Sequence, residues 1–119
     1  MARIEESITF VGSAAWYDHN TIRDRIRVLP EGTRILLDDE PFQIEVAAAR
    51  QARCSGLVAV VYCLPSNSGK GAVAARAVRD RVMFADSHRV LVFGELPEDR
   101  EATLQALLMG RQLPVERIR

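Results

Sequence analysis

Seven carboxylates, Asp38, Asp39, Glu40, Glu45, Glu95, Glu98 and Asp99, crowd two short stretches of this chain. Hard oxygen ligands of that kind suit magnesium or calcium. Their spacing matches no recognisable ligand set, so no metal and no other cofactor is expected. His19 and His88 are isolated and have no partner at zinc-ligand spacing. Ser13 has no identifiable His partner, which leaves no basis for a Ser-His-Asp triad. Between the acidic stretches runs the turn Ser66-Asn67-Ser68-Gly69-Lys70-Gly71. It is not a Walker A loop: Leu64 stands where the first Gly belongs, and Gly71 where Ser or Thr would bind magnesium. Ser68 and Lys70 could still contribute to an anion nest ahead of a helix, or the segment is a solvated turn. Near the N-terminus, Gly12-Ser13 is followed by Trp16 and Tyr17. An aromatic there could stack on a base. It could equally cap a sheet or serve a subunit contact.

These residues sit in a chain of 119, the length of one domain, 1–119. Apolar residues make up 48% and charged residues 27%, an ordinary globular balance. Sixteen basic residues offset sixteen acidic ones. No global field would steer nucleic acid or an anionic membrane toward it, and neither is expected as a partner. No apolar run approaches the roughly 20 residues that span a bilayer. Residues 1–7 include Arg3, Glu5 and Glu6 and lack a signal-peptide core. A cytoplasmic protein is expected. Cys54 and Cys63, in or beside apolar segments, are expected as reduced core residues.

The hydrophobic pattern places the elements. Residues 8–11 form a β-prone run closed by Gly12. Ile22, Ile26 and Leu29 mark a helix over 18–29, which Asp18 or Asn20 could cap. Strand 33–37 precedes an Ala-faced helix over 42–53. Residues 56–64 are continuously apolar or small, the signature of a central parallel strand buried on both faces. A third helix spans 72–84, with Ala74, Val78 and Val82 on one face. Strand 89–93, a helix opened by Pro97 and closed by Gly110, and an edge strand over 114–118 complete the chain. Leu104, Leu107 and Leu108 should face inward. The order β-α-β-α-β-α-β-α-β predicts a three-layer α/β/α Rossmann-like fold with about five parallel strands. Ligands in such folds meet the carboxyl ends of the strands, here residues 12–18, 38–45, 64–71 and 94–101.

An ordered set of short motifs over residues 7–118 resembles the SLOG superfamily, and most closely its small YspA-like branch. That group is related to the DNA-processing Smf/DprA proteins and the LOG phosphoribohydrolases. The branch ends its first strand in Gly-Ser-Arg, then an aromatic and Asp. Here Gly12, Ser13, Trp16 and Asp18 fit, and Ala14 replaces the Arg. It then carries Arg-Asn-x-x-Met on a helix, Ala-Asp, and an apolar strand ending in Phe. Here stand Arg79-Asp80-Arg81-Val82-Met83, Ala85-Asp86 and Val90-Leu91-Val92-Phe93.

The chain departs from the family at its glycine loops. Asp39-Glu40-Pro41-Phe42-Gln43-Ile44-Glu45 stands in place of Gly-Gly-x-x-Gly-x-Asp. Gly94-Glu95-Leu96-Pro97-Glu98-Asp99 stands in place of Gly-Gly-x-Gly-Thr. Backbone N–H groups that would cradle a phosphate give way to carboxylates that would oppose one. The resemblance therefore implies a binding module for a nucleotide-derived molecule, using Gly12, Ser13, Trp16, Asp18, Arg79, Met83 and Gly94 with Ser68 and Lys70. One alternative is a non-catalytic protein that acts through self-association or a protein partner. Another is a phosphoribohydrolase-type enzyme cleaving nucleoside monophosphates, with Arg79 and Glu101 as its catalytic pair. Arg79 could instead make an internal ion pair with the acids that replaced the glycines. The resemblance also implies a homo-oligomer.

Overall fold

The computed structural model describes residues 6–65 and 71–119. Five strands and four helices alternate: β1 (Ser7–Gly12), α1 (His19–Arg27), β2 (Arg34–Asp38), α2 (Gln43–Cys54), β3 (Val58–Tyr62), α3 (Ala72–Ala85), β4 (Arg89–Phe93), α4 (Glu98–Leu108) and β5 (Val115–Ile118). The strands form one all-parallel sheet in the order β3-β2-β1-β4-β5. The architecture is the three-layer α/β/α Rossmann-like sandwich that strict alternation predicts.

Each sheet face carries its own apolar layer. Ile22 and Ile26 of α1, with Ile44, Ala48 and Ala52 of α2, pack on Ile8, Phe10, Ile35, Leu37, Leu91 and Phe93. On the opposite face Met83 and Phe84 of α3 and Leu104 of α4 meet Val11, Leu36, Val90 and Val92. The alanines of α2 bring that helix close to the sheet, since they add little side-chain bulk. Leu104 is fully buried, and Leu107 and Leu108 pack partly buried against the second layer. Asp18 caps α1 by accepting the Thr21 backbone N–H at 3.2 Å.

Three expectations are corrected. The continuously apolar stretch 56–64 does not become a central strand. Among the described residues β3 pairs only with β2 and lies at the sheet edge, with Val58 and Val61 60% and 52% exposed. Composition reports a strand's apolar character, but strand order depends on which way each crossover turns. On α3, Val78 and Val82 are not the inward face; they stand 45% and 50% exposed. The buried face is Ala75, Arg79, Asp80, Met83 and Phe84. A charged pair hidden inside that face shifts the apparent apolar stripe. The cysteines are not core residues either: Cys54 ends α2 in solvent, and Cys63 follows the edge strand, both exposed and free.

Candidate functional site at the carboxyl edge

β1 and β4 are neighbours at the centre of the sheet, and Gly12 pairs with Phe93 where both end. From there the chain leaves toward opposite faces, β1 to α1 and β4 to α4. Such a divergence opens a crevice outside the strand ends. Gly12 is required by the close approach: a Cβ there would run into the Phe93 carbonyl oxygen and stand 2.8 Å from Ile44 Cδ1. The Ser13 N–H donates to that carbonyl at 2.9 Å. Gly94 turns at φ +78°, and a Cβ on it would press on Ser13 Cβ at 3.2 Å and the Trp16 ring at 3.4 Å.

Behind the crevice, the buried rings of Phe10 and Phe93 support Trp16, the aromatic that lines it with Tyr17. Phe10 and Phe93 stack at 5.5 Å, and Trp16 stands edge-on to Phe93 at 5.5 Å. Indole Nε1 of Trp16 donates to the Asp18 carbonyl at 2.9 Å, and Ser13 Oγ accepts the Ala15 N–H at 3.0 Å. These bonds fix the loop between β1 and α1. The resulting crevice encloses about 730 Å³, lined by Ser13, Trp16, Tyr17, Asp18, Asn20, Gly94, Glu95 and Arg119 among others. Tyr17 is 84% exposed on its rim. Asp18 also accepts the Thr21 hydroxyl at 2.6 Å, and that bond, with the Thr21 N–H, holds its carboxyl below the usual range.

The other half of the carboxyl edge is filled. Arg79 is fully buried. Its Nη1 donates to Asp39 Oδ1 at 2.7 Å and Glu40 Oε1 at 3.2 Å, and its Nε to Asp80 Oδ1 at 3.1 Å. Arg100 donates through Nε to Asp80 Oδ2 at 2.7 Å and through Nη2 to Asp38 Oδ2 at 2.8 Å. Asp80 thus bridges two guanidiniums. Burial opposes both charges, but Asp80 and Asp38 more than offset it and raise both pKa values. Glu45, in the first turn of α2, is buried nearby. Burial first, and the neighbouring Asp38 carboxylate second, push its carboxyl up to about 8. Glu45 Oε1 and Arg79 Nη2 are buried and find no hydrogen-bond partner among the described residues.

Of the sequence-derived candidates, Ser13, Trp16, Asp18 and Gly94 line the crevice, with Gly12 behind them. Arg79 lies in the ion network instead, and Met83 is fully buried among Val11, Leu36 and Phe84. Glu101 pairs through both oxygens with Arg117 at 2.8 Å, which holds its carboxyl low, so Arg79 and Glu101 answer to different partners. Asp99 pairs with Arg76 at 3.0 Å. Ser68 and Lys70 lie outside the described residues. Sequence reasoning missed Arg119 and Arg100, and it named Asn20 only as a possible cap and Glu95 only among acids that could bind a cation. Arg119 reaches the crevice because β5 runs parallel to β4 and Ile118 accepts the Gly94 N–H at 2.8 Å. Among the described residues no cluster of His, Cys, Asp or Glu could hold a metal ion, and no helix is long and apolar enough to cross a membrane.

No protein-family model and no curated protein matches this chain.

Proposed function

We propose that the protein is a binding module for a nucleotide-derived small molecule, held in the β1–β4 crevice by its base and ribose end. The observation that carries this reading is the crevice itself. It lies at the carboxyl ends of two adjacent central strands, where their connections diverge, and has an aromatic wall and a volume suited to a small ligand. The resemblance of Gly12-Ser13, Trp16 and Asp18 to the SLOG pattern supports the ligand class.

Electrostatics favour the uncharged end of such a ligand. A helix N-terminus commonly takes a phosphate, but at α1 the Asp18 carboxylate already occupies the N–H of Thr21. Among the described residues that line the crevice, Asp18 and Glu95 outnumber the Arg119 guanidinium. A base can lie against Trp16 or Tyr17, and ribose hydroxyls can donate to Asp18 or Glu95 and accept from Asn20.

The phosphoribohydrolase alternative is less well supported. Arg79 is spent on Asp39, Glu40 and Asp80, and Glu101 on Arg117. Neither side chain lines the crevice. Self-association is favoured by a separate observation, the exposed apolar edge at β3.

The test is thermal unfolding against nucleobases, nucleosides and their monophosphates. A ligand at 100 times its dissociation constant adds about 2.7 kcal/mol, several degrees in midpoint for a domain of this size. Nucleosides are expected to raise the midpoint more than their monophosphates. A larger shift with monophosphates would contradict the charge argument, and no shift with any compound would contradict the binding role.

A further inference from the structure

β3 reads Val58-Ala59-Val60-Val61-Tyr62, with no charge and no proline. Such a run suits a strand covered on both sides, yet its outer row of backbone N–H and C=O groups meets no strand among the described residues. Natural sheets guard exposed edges with charges, proline or bulges. The opposite edge of this sheet is guarded: Pro114 precedes β5, Glu116 pairs with Arg25, and Arg117 pairs with Glu101.

The apolar surface continues from β3 onto α3. That helix lies over β2 and β3, and the Tyr62 hydroxyl donates to Asp86 Oδ2 at 2.7 Å just beyond its last turn. α4 covers one flank of α3, through Asp99 on Arg76 and Arg100 on Asp80. Val78 and Val82, four residues apart, form an exposed stripe on the other flank.

We propose that two copies of this chain pair through the outer edge of β3, antiparallel about a two-fold axis, joining their five-stranded sheets into one. The inference does not rest on the crevice. The occupant follows from self-complementarity. Pairing centred on Val60 sets Val58 opposite Tyr62 of the partner copy and Ala59 opposite Val61, which gives apolar and aromatic cross-strand pairs. No like charges meet along the strand, because it has none. An isologous contact presents each exposed valine twice, and α3 of one copy then lies beside α3 of the other. Covering both edges and both α3 flanks has to remove about 1,000 Å² from water to reach the threshold of a specific interface. β3 would then hold the interior position that its composition describes.

The experiment is sedimentation velocity on the full chain from 5 to about 200 μM. The expected species has twice the 13.3 kDa chain mass. The double substitution Val58→Lys with Val61→Lys, at exposed positions, should weaken association at least tenfold while leaving the circular dichroism spectrum unchanged. Arg117→Ser, on the opposite edge, should leave association intact. If the lysine variant misfolds, Val78→Glu with Val82→Glu on α3 replaces it, and β3 amide exchange in the wild type should slow as concentration rises. A wild-type chain that stays monomeric throughout overturns the proposal and leaves the edge to another occupant, such as an extended peptide. A folded lysine variant that still dimerises assigns the contact elsewhere and overturns it too.

Discussion

The carboxyl edge of this sheet is divided into two unlike halves. Between β1 and β4 the chain turns on small residues, Gly12, Ser13 and Gly94, and a crevice remains. Beyond β2, beneath α3 and α4, side chains fill the corresponding space: Asp38, Asp39, Glu40 and Asp80 close around Arg79 and Arg100. The lesson is that an internal ion network can close one half of a carboxyl edge while the other half stays open.

The largest expected effect comes from breaking the closed half. Asp80→Ala leaves two buried guanidiniums without their shared partner and should cost about 3–5 kcal/mol of stability, read from urea unfolding. In the fraction that stays folded, ligand affinity at the crevice should change little. A parallel loss of affinity with an intact fold would mean that the halves are coupled.

A smaller effect of opposite sign is expected at Glu45. Its folded pKa of about 8 lies above its ordinary value of 4.5. The folded state therefore holds a proton that the unfolded chain releases, and Glu45 lowers stability progressively as pH rises from about 4.5 to about 8. Glu45→Gln should remove that part of the pH dependence and stabilise the protein at pH 8 by on the order of 1–3 kcal/mol. Thermal midpoints of both proteins from pH 5 to about 9 measure it. A constant difference between them across that range would show that Glu45 is not protonated in the fold.

In the open half, Gly94→Ala forces a side chain into positive φ against Ser13 and Trp16. It should cost about 1–2 kcal/mol and weaken ligand binding more than stability alone explains. Calorimetric titration separates the two. The smallest effect is expected at Glu101→Ala, which removes a partly exposed pair with Arg117. About 0.5 kcal/mol should be lost, with no change in ligand affinity or turnover. A nucleoside monophosphate hydrolysis activity abolished by Glu101→Ala would restore the enzymatic reading.

Much of the architecture was legible because alternation of apolar strands with helical periodicity constrains layers and direction. The candidate site was legible where it depends on local chemistry: Gly12-Ser13, Trp16 and the Asp18 cap all lie within residues 12–18. What depends on strand order was not legible. Arg119 and Glu95 join Ser13 only because β4 and β5 lie on one side of β1, and β3 became an edge for the same reason. Arg79 is a mixed case. Its motif marked it, and the acids around it hinted at an ion pair, but its neighbour Asp80 decided the outcome. Where the resembled motif has Asn, the carboxylate of Asp80 holds Arg100 as well. A charged pair on the buried face of α3 is invisible to a hydrophobic pattern.

The most direct test of the open-and-closed division is amide chemical-shift mapping of the isotope-labelled protein with a nucleoside. The expected perturbations fall on Ser13, Trp16, Asp18, Asn20, Gly94, Glu95 and Arg119, with Asp39, Glu40, Arg79 and Arg100 unmoved. Perturbations centred on the ion network, with the β1–β4 crevice silent, would contradict the account.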